Sequence, residues 1–215
     1  MGFNNAIFDL DGTIVESSEG IIQSVKYALN KMGKTEYDEK ILMKFIGPPL
    51  TDSFSLYFNM SESDANKAVA FYRENYSVDG VYKTRLYDGV KELIISLKQK
   101  GVKVYIASSK PQVFVEKVLK SHGLNEYFDF VAGATFDKTR HNKIDVLKYL
   151  LEQTGIDTNQ SLMIGDRFHD IEGGHHFNIK SAGVLYGFGN REEFIKYDAD
   201  YIVNDCSALY KIITD

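Results

Sequence analysis

The chain has 215 residues, 44% of them hydrophobic, so it can bury a sizeable core. Its formal net charge is −5 and its lysines and arginines are scattered, which argues against nucleic acid and against an anionic membrane surface as partners. The single cysteine, Cys206, excludes an internal disulfide and a thiolate metal site. No stretch approaches the roughly 18 apolar residues of a membrane span. We expect a cytoplasmic protein, and composition fits a monomer or a homodimer equally well.

The first predicted element is a short buried strand at Ala6-Ile7-Phe8, which carries Asp9 to the edge of a sheet. Open α/β sheets place their ligands at the carboxyl ends of their strands. Asp11 points the same way if the extended geometry persists, and Gly12 then lets the chain turn. Two carboxylates at one spot repel each other, so this pair predicts either a metal ion or two carboxyl groups in different protonation states.

Two other interpretations fit the Asp-x-Asp-Gly pattern. The pattern is common turn chemistry, and alone it would more often be structural than catalytic. A calcium-binding loop would need glycine at its sixth position and glutamate at its twelfth, where this chain has Ile14 and Gly20. Calcium binding of that kind is therefore not expected, and the catalytic interpretation depends on three later stretches.

The next part of the chain, residues 15–82, is predicted to be all-helical. Gly47-Pro48-Pro49 interrupts the helical pattern, and Ser61 opens a further helix. Because this block lies between the first strand and the rest, we predict a helical cap domain at 15–82. It is inserted into a core domain made of residues 1–14 and 83–215.

From Tyr87 onward, predicted strands and helices alternate. Such alternation requires crossover connections, which produce a parallel sheet with helices on both faces. The predicted fold is therefore an α/β core with a doubly wound, Rossmann-like parallel sheet and an inserted helical cap. The predicted strands of this part are Val102–Ala107, Phe128–Ala132, Leu162–Ile164, Ser181–Leu185 and Tyr201–Val203.

Two short stretches in this part suit an anion. Ser108 and Ser109 follow a predicted strand, where a hydroxyl and the N–H groups entering the next helix can bind phosphate. Helix capping by Ser109 is the simpler explanation of that serine taken alone. Lys143 stands at a helix start, where its ammonium can neutralise a phosphate and a nucleophilic carboxylate. Most lysines at helix starts are only solvated, and Lys110 is a rival for the same role.

The last such stretch, Ile164–Asp170, again follows a predicted strand. Asp166 and Asp170 are four residues apart across a turn into a helix, so their carboxylates can converge on one hard cation. If the stretch is only structural, Asp166 caps the helix and Asp170 is exposed. His175-His176 lacks a cysteine or a third histidine at useful spacing, so no transition-metal site is predicted there.

Four ordered motifs of the chain resemble those of the haloacid dehalogenase-like superfamily of phosphohydrolases. They are Phe8–Thr13, Ser108, Lys143, and Gly165-Asp166 with Asp170. The resemblance covers essentially the whole chain and includes a helical cap after the first motif, as in the subgroup related to phosphoglycolate phosphatase. Phe45–Leu50, Tyr72–Tyr76 and Gly183–Gly189 also look like a branch often assigned as 5′-nucleotidase-like.

The resemblance implies catalytic roles for four residues. Asp9 would attack phosphorus and form an aspartyl-phosphate. Asp11 would protonate the leaving oxygen and later deprotonate the hydrolytic water. Ser108 and Lys143 would hold the phosphoryl oxygens, with Ser109 as a further phosphate-binding residue. A carboxylate nucleophile divides hydrolysis into two displacements.

The resemblance also implies Mg2+ as the cofactor. Its ligands would be Asp9, the backbone carbonyl of Asp11, and Asp166, with Asp170 binding directly or through water. The cation would offset the repulsion between the nucleophile and the phosphate.

We therefore predict a Mg2+-dependent phosphomonoester hydrolase that acts on a small phosphorylated metabolite and is phosphoglycolate phosphatase-like. A 5′-nucleotidase is the alternative, followed by a sugar phosphomutase and a non-catalytic phosphate binder. The last of these is opposed by the presence of both Asp9 and Asp11. We expect a closing cap to exclude water and to choose the leaving group through residues 44–76.

Overall fold

The computed structural model describes residues 2–137 and 139–215. The chain forms two compact units, Met1–Glu16 with Leu86–Asp215, and Ser17–Arg85. The first unit contains a six-stranded sheet, and the second is built from helices. Within the described residues, no helix combines the length and the apolar character that a membrane span requires.

Strands and helices follow one another along both units. The strands are β1 (Asn5–Phe8), β2 (Val15–Glu16), β3 (Arg85–Leu86), β4 (Lys103–Pro111), β5 (Phe130–Ala134), β6 (Ser161–Gly165), β7 (Lys180–Val184) and β8 (Tyr201–Val203). The α-helices are α1 (Ser18–Lys31), α2 (Glu39–Leu42), α3 (Leu50–Phe58), α4 (Glu62–Tyr76), α5 (Val90–Gln99), α6 (Gln112–Ser121), α7 (Lys143–Thr154), α8 (Phe168–His176), α9 (Arg191–Lys196) and α10 (Cys206–Thr214).

The main sheet is parallel, and its strands lie in the order β5-β4-β1-β6-β7-β8. β1 is central, with Phe8 paired to Ile106 of β4 and to Ile164 of β6. The strand order therefore reverses at β1, and ligands of open α/β sheets bind where the order reverses. The predicted α/β fold with a parallel sheet is confirmed, and the residues that follow β1, β4 and β6 meet at one edge.

Both faces of this sheet are buried. Ile7, Tyr105 and Met163 belong to one core cluster with Val146 and Leu147 of α7. The side chains that alternate with them along the strands, such as those of β1 and β4, are buried as well. Helices cover both faces of such a sheet. Because the side chains on both faces are buried, the sequences of these strands are nearly continuous apolar runs.

The helical unit has its own core. α1 and α3 both pack against α4. Phe45 and Phe54 meet edge to face at 4.9 Å, and Tyr72 stacks on Tyr76 at 5.1 Å. Ser61 caps α4 as expected, because its Oγ accepts a hydrogen bond from the Asp64 N–H at 3.1 Å. The role of this unit as a cap stays a prediction.

The structure corrects the predicted elements at several places, among them the strand predicted at Phe128–Ala132, which runs from Phe130 to Ala134. Residues 15–82 are not all helical, because β2 pairs with β3 in a two-stranded sheet; strands of two residues carry no periodicity that a sequence could show. α9 was not expected, since six residues are too few for a helical stripe. β4 continues to Pro111 instead of ending at Ala107, so Ser108 and Ser109 lie in the strand.

The extension of β4 has a cause in the neighbouring strand. β5 pairs with β4 up to Ser108, where the register shifts, and pairing resumes at Pro111. Next to the shift, the side chain of Gln112 also bonds to β5, accepting from the Gly133 N–H at 2.6 Å and donating to the Val131 carbonyl at 3.1 Å. A side chain thus satisfies the backbone groups that the shift exposes.

Candidate active site

The centre of the site is Asp9, the residue that follows β1. Its N–H donates to the Ile164 carbonyl of β6 at 2.9 Å, so the neighbouring strand holds its backbone. Beyond it the chain turns sharply at Gly12, whose φ is +84°. A Cβ at Gly12 would overlap the Asp166 carboxylate. Only glycine both adopts this conformation freely and leaves room for that carboxylate.

Three buried carboxylates converge beside this turn. Asp9, Asp166 and Asp170 each present an oxygen within 4.8 Å of the others. Asp166 follows β6, and Asp170 lies in the first turn of α8, where its Oδ2 also accepts from the Arg167 N–H at 3.1 Å. The structure thus brings the first and fourth sequence motifs together, and neither Asp166 nor Asp170 is an exposed helix-start residue.

The two candidate lysines take different partners. Lys143 Nζ lies 2.9 Å from Asp9 Oδ1 and 2.7 Å from Asp170 Oδ1, and it donates to the Ala107 carbonyl at 2.7 Å. Lys110 Nζ instead binds both carboxylate oxygens of Asp11, at 2.8 and 2.7 Å. The Asp11 side chain is therefore outside the triad that the other three aspartates form.

The predicted phosphate-binding serines lie on β4, next to the β1 loop. Ser108 is buried, and its Oγ accepts a hydrogen bond from the Lys110 N–H at 3.3 Å. Ser109 is half-buried, in the same strand. Their assignment to phosphate binding stays a prediction.

Burial governs the charge state of these groups. Burial raises the pKa of Asp9 to about 6, and the neighbouring Asp170 adds to the rise while Lys143 opposes it. The pKa of Asp166 is raised well above its usual value, chiefly by burial and then by the charges of Asp170 and Asp9. Burial alone would lower the pKa of Lys143, but the two carboxylates beside it outweigh this and raise it. The cluster holds more negative charge than the protein neutralises, which favours binding of a cation.

Two contacts to the site were not foreseen from the sequence. The Phe188 N–H donates to Asp166 Oδ2 at 2.9 Å, and a Cβ at Gly187 would overlap Asp166. The Gly187-x-Gly189 pattern is typical of a turn and does not tell what the turn contacts. Glu193 accepts from the Phe168 N–H at 2.7 Å and from Arg167 Nε at 3.0 Å, and so holds the start of α8. No pattern distinguishes this glutamate from a solvated one.

Known proteins match this chain over most of its length. The family model described as haloacid dehalogenase-like hydrolase matches residues 6–184. A 5′-nucleotidase of Pseudomonas aeruginosa is 36% identical over 98% of this chain and 96% of its own length. The tyrosine-protein kinase PtkA of Mycobacterium tuberculosis is 32% identical over 94% of this chain and 69% of its own length.

The fold agrees with the same family. A crystal structure described as a predicted phosphatase from Clostridium acetobutylicum superposes with a TM-score of 0.94 at 41% identity, and the match covers 98% of both chains. The family model spans the four aspartates, the two serines and the two lysines of the site, whereas Phe188 and Glu193 lie beyond its last matched residue. This chain therefore belongs to the haloacid dehalogenase-like hydrolase family and is a phosphatase.

Proposed function

We propose that this phosphatase is a Mg2+-dependent phosphomonoesterase that acts on a small phosphorylated metabolite through an aspartyl-phosphate on Asp9. The observation that carries the proposal is the buried triad of Asp9, Asp166 and Asp170 with Lys143 in contact with two of its members. Phosphoryl transfer needs a positioned nucleophile and neutralisation of charge more than elaborate covalent chemistry. The cluster offers both in one place.

The acidic residues suit a hard divalent cation. Among the described residues, neither Asp9 Oδ1 nor Asp170 Oδ1 has a well-aligned hydrogen-bond partner, although Lys143 Nζ lies near both. Carboxylate oxygens are the ligands that Mg2+ and Mn2+ prefer. Asp9, Asp166 and Asp170 would hold the ion, together with the Asp11 carbonyl that the family resemblance implies. When bound, the ion supplies positive charge that lets an anionic ester approach an anionic nucleophile.

Residues of the chain carry both displacements in this proposal. In the first, an Asp9 oxygen forms a bond to phosphorus as the ester P–O bond breaks, and Asp11 gives its proton to the leaving oxygen. In the second, water attacks phosphorus, its proton passes to Asp11, and the Asp9–phosphorus bond breaks to release inorganic phosphate. Ser108 and Lys143 hold the phosphoryl oxygens throughout, and Ser109 is a further candidate for this contact.

The substrate is proposed in two versions. Our first candidate is a small carboxylated phosphate ester such as phosphoglycolate. A nucleoside 5′-monophosphate is the second candidate, favoured by the 36% identity to a protein named 5′-nucleotidase. We propose that the helical unit serves as the cap that selects between them. We also propose that the protein is cytoplasmic and is a monomer or a homodimer.

The test is phosphate release with Mg2+ and with chelator, from phosphoglycolate, several nucleoside 5′-monophosphates, sugar phosphates, phosphotyrosine and an aryl phosphate. The intact protein is compared with Asp9→Asn, which removes the nucleophile while keeping the shape of the side chain. We expect release only with the metal, and a loss of at least about 10³-fold in Asp9→Asn. The preferred ester separates the two substrate candidates.

The matched control is Asp198→Asn, an exposed aspartate with φ of +54° that asparagine also adopts. It should keep full activity. Trapping of a phosphorylated protein in the intact enzyme and its absence in Asp9→Asn would support the covalent intermediate. Full activity of a folded Asp9→Asn protein would contradict the proposal, as would release that chelator leaves unchanged.

A further inference from the structure

Two lysines contact different acidic residues of the site. Lys143 contacts Asp9 and Asp170, whereas Lys110 Nζ lies 2.8 Å from Oδ1 and 2.7 Å from Oδ2 of Asp11. Lys143 stands at the position that the family resemblance assigns to the phosphoryl oxygens. Lys110 was only a rival for that position, and the structure gives it a different partner.

The ion pair between Lys110 and Asp11 is buried. The Lys110 side chain is 5% exposed and that of Asp11 is 11% exposed. A charge taken out of water is costly unless it is paired and hydrogen-bonded. An ammonium that lies within hydrogen-bond distance of both carboxylate oxygens restrains the rotation of that carboxyl group.

Both partners are attached to backbone that is itself held in place. Lys110 lies in β4, and its N–H donates to Ser108 Oγ at 3.3 Å. Asp11 stands at the start of a tight loop, in which the Gly12 N–H donates to the Val15 carbonyl at 2.8 Å. The pair therefore joins two segments whose backbones are hydrogen-bonded.

We propose that Lys110 is a positioning residue that holds the Asp11 carboxyl group in the orientation from which it exchanges protons with the substrate and with water. The inference rests on the proposed function, in which Asp11 is first the acid and then the base. Lys110 transfers no proton: the leaving oxygen takes its proton from Asp11, and the water returns one to Asp11. A protonated carboxyl group keeps an acceptor oxygen for the lysine while its O–H faces the leaving oxygen.

The alternative is that Lys110 binds the phosphate directly, and leaving-group dependence separates the two roles. A lysine on the phosphate acts on every ester equally, since the phosphoryl group is common to them all. A lysine that positions the acid matters only where the leaving oxygen needs a proton. Alkyl esters need one, whereas p-nitrophenolate leaves as the anion. kcat/KM reports on the first displacement alone, because the P–O bond breaks in that step.

The experiment measures kcat/KM of Lys110→Met on p-nitrophenyl phosphate and on the alkyl ester that the intact protein hydrolyses fastest. We expect a loss of about 100-fold on the alkyl ester and of at most about 5-fold on the aryl ester, the pattern of lost general-acid catalysis. Asp11→Asn should show the same contrast, and Lys110→Arg should recover part of the alkyl activity. The matched control is Lys103→Met on the same strand, whose lysine is 59% exposed and should leave both values unchanged.

A double variant keeps the test decisive if Lys110→Met folds poorly, because Asp11→Asn/Lys110→Met leaves no unpaired charge of the pair. If Lys110 acts through Asp11, the double variant should match Asp11→Asn on both esters. An equal loss on both esters in Lys110→Met, or a further loss in the double variant, would overturn the inference. Asp9→Asn tests the proposed function separately, since it should abolish turnover of both esters whatever Lys110 does.

Discussion

Two groups of aspartate and lysine lie near opposite ends of β4, and they differ in charge balance. At the start of the strand, Asp129 alone faces Lys98 at 2.6 Å and Lys103 at 3.1 Å, and it also accepts from the Val104 N–H at 2.8 Å. At the far end, Asp9, Asp11 and Asp170 contact two lysines, and Asp166 adds a fourth carboxylate to the group. The first group contains more lysines than carboxylates, and the second contains fewer.

The pKa values of the two groups move in opposite directions. Burial alone would raise the pKa of Asp129, but hydrogen bonds from Lys98, Val104 and Lys103 outweigh it and lower the pKa. The pKa of Asp9 is instead raised to about 6, because its burial is deeper and other carboxylates are near. The same residue types thus lower the pKa of an aspartate where lysine is in excess and raise it where carboxylate is in excess, and raised pKa values of this kind are typical of functional sites.

The largest expected difference between the two ends is in catalysis. Asp166→Asn removes a proposed metal ligand, so phosphatase activity should fall by at least about 10²-fold, since a metal contributes several kcal/mol of charge stabilisation. Asp129→Asn, the same change at the other end, should leave kcat/KM unchanged. The measurement is phosphate release across a Mg2+ titration. Equal losses in the two variants would show that the two clusters do not differ in function.

A glycine substitution tests how tightly the end of the sheet that carries the carboxylate cluster is packed. Gly12→Ala places a methyl group onto the Asp166 carboxylate at a φ of +84°, and it should lower the free energy of unfolding by about 2 to 5 kcal/mol. Gly101→Ala has a similar φ of +80° but nothing within 4 Å of the added Cβ, so it should cost only about 1 to 2 kcal/mol of strain. Urea unfolding measures both. A smaller cost at Gly12 than at Gly101 would contradict the packing argument.

The raised pKa of Asp9 predicts a stability that falls with rising pH. A group whose pKa rises from 3.8 to about 6 on folding binds its proton more tightly in the folded state, so its favourable contribution is present below pH 4 and is lost between pH 4 and 6. The loss should be of order 1 to 3 kcal/mol. Urea unfolding of the intact protein between pH 4 and 6, without metal, should show this decrease in the free energy of unfolding.

Two comparisons control this pH dependence. In Asp9→Asn the free energy of unfolding should decrease much less between pH 4 and 6 than in the intact protein. Mg2+ should stabilise the intact protein more at pH 7.5 than at pH 4.5, because the cation replaces the proton. A stabilisation by Mg2+ that is the same at both pH values would contradict the assignment of the cation to this cluster.

The smallest effect is expected at Asp129, with the opposite sign. Its folded pKa is lowered, so its stabilisation is present above the unfolded value of 3.8 and is lost as the pH falls through the folded value. Because its lysine partners are partly exposed, the contribution should be about 1 kcal/mol. Asp129→Asn should be less stable than the intact protein at pH 6, and this difference should shrink in acid. A constant difference down to pH 2 would show that the ion pairs contribute nothing.

The sequence by itself determined which residues the chain brings to one edge of the sheet. A short apolar run that ends in Asp9, and a later one that ends before Asp166, predict strand ends, and parallel strands end at the same edge. The structure places both aspartates there together with Asp170 and Lys143. Hydrophobic periodicity and turn-forming residues are local features of the sequence, so they can be recognised without knowledge of the tertiary packing.

Only the tertiary structure decided how the charged groups pair. Asp11 and Lys110 are 99 residues apart, and no local pattern tells which of two lysines faces which carboxylate. The strand that carries Ser108 continues to Pro111, which pairs with Ala134 of β5, and the Gln112 side chain bonds to the same neighbouring strand. Glu193 and the Phe188 N–H reach the site through packing alone. Periodicity therefore specifies which residues reach the edge of the sheet, while side-chain packing between remote segments specifies their partners and hence their charge.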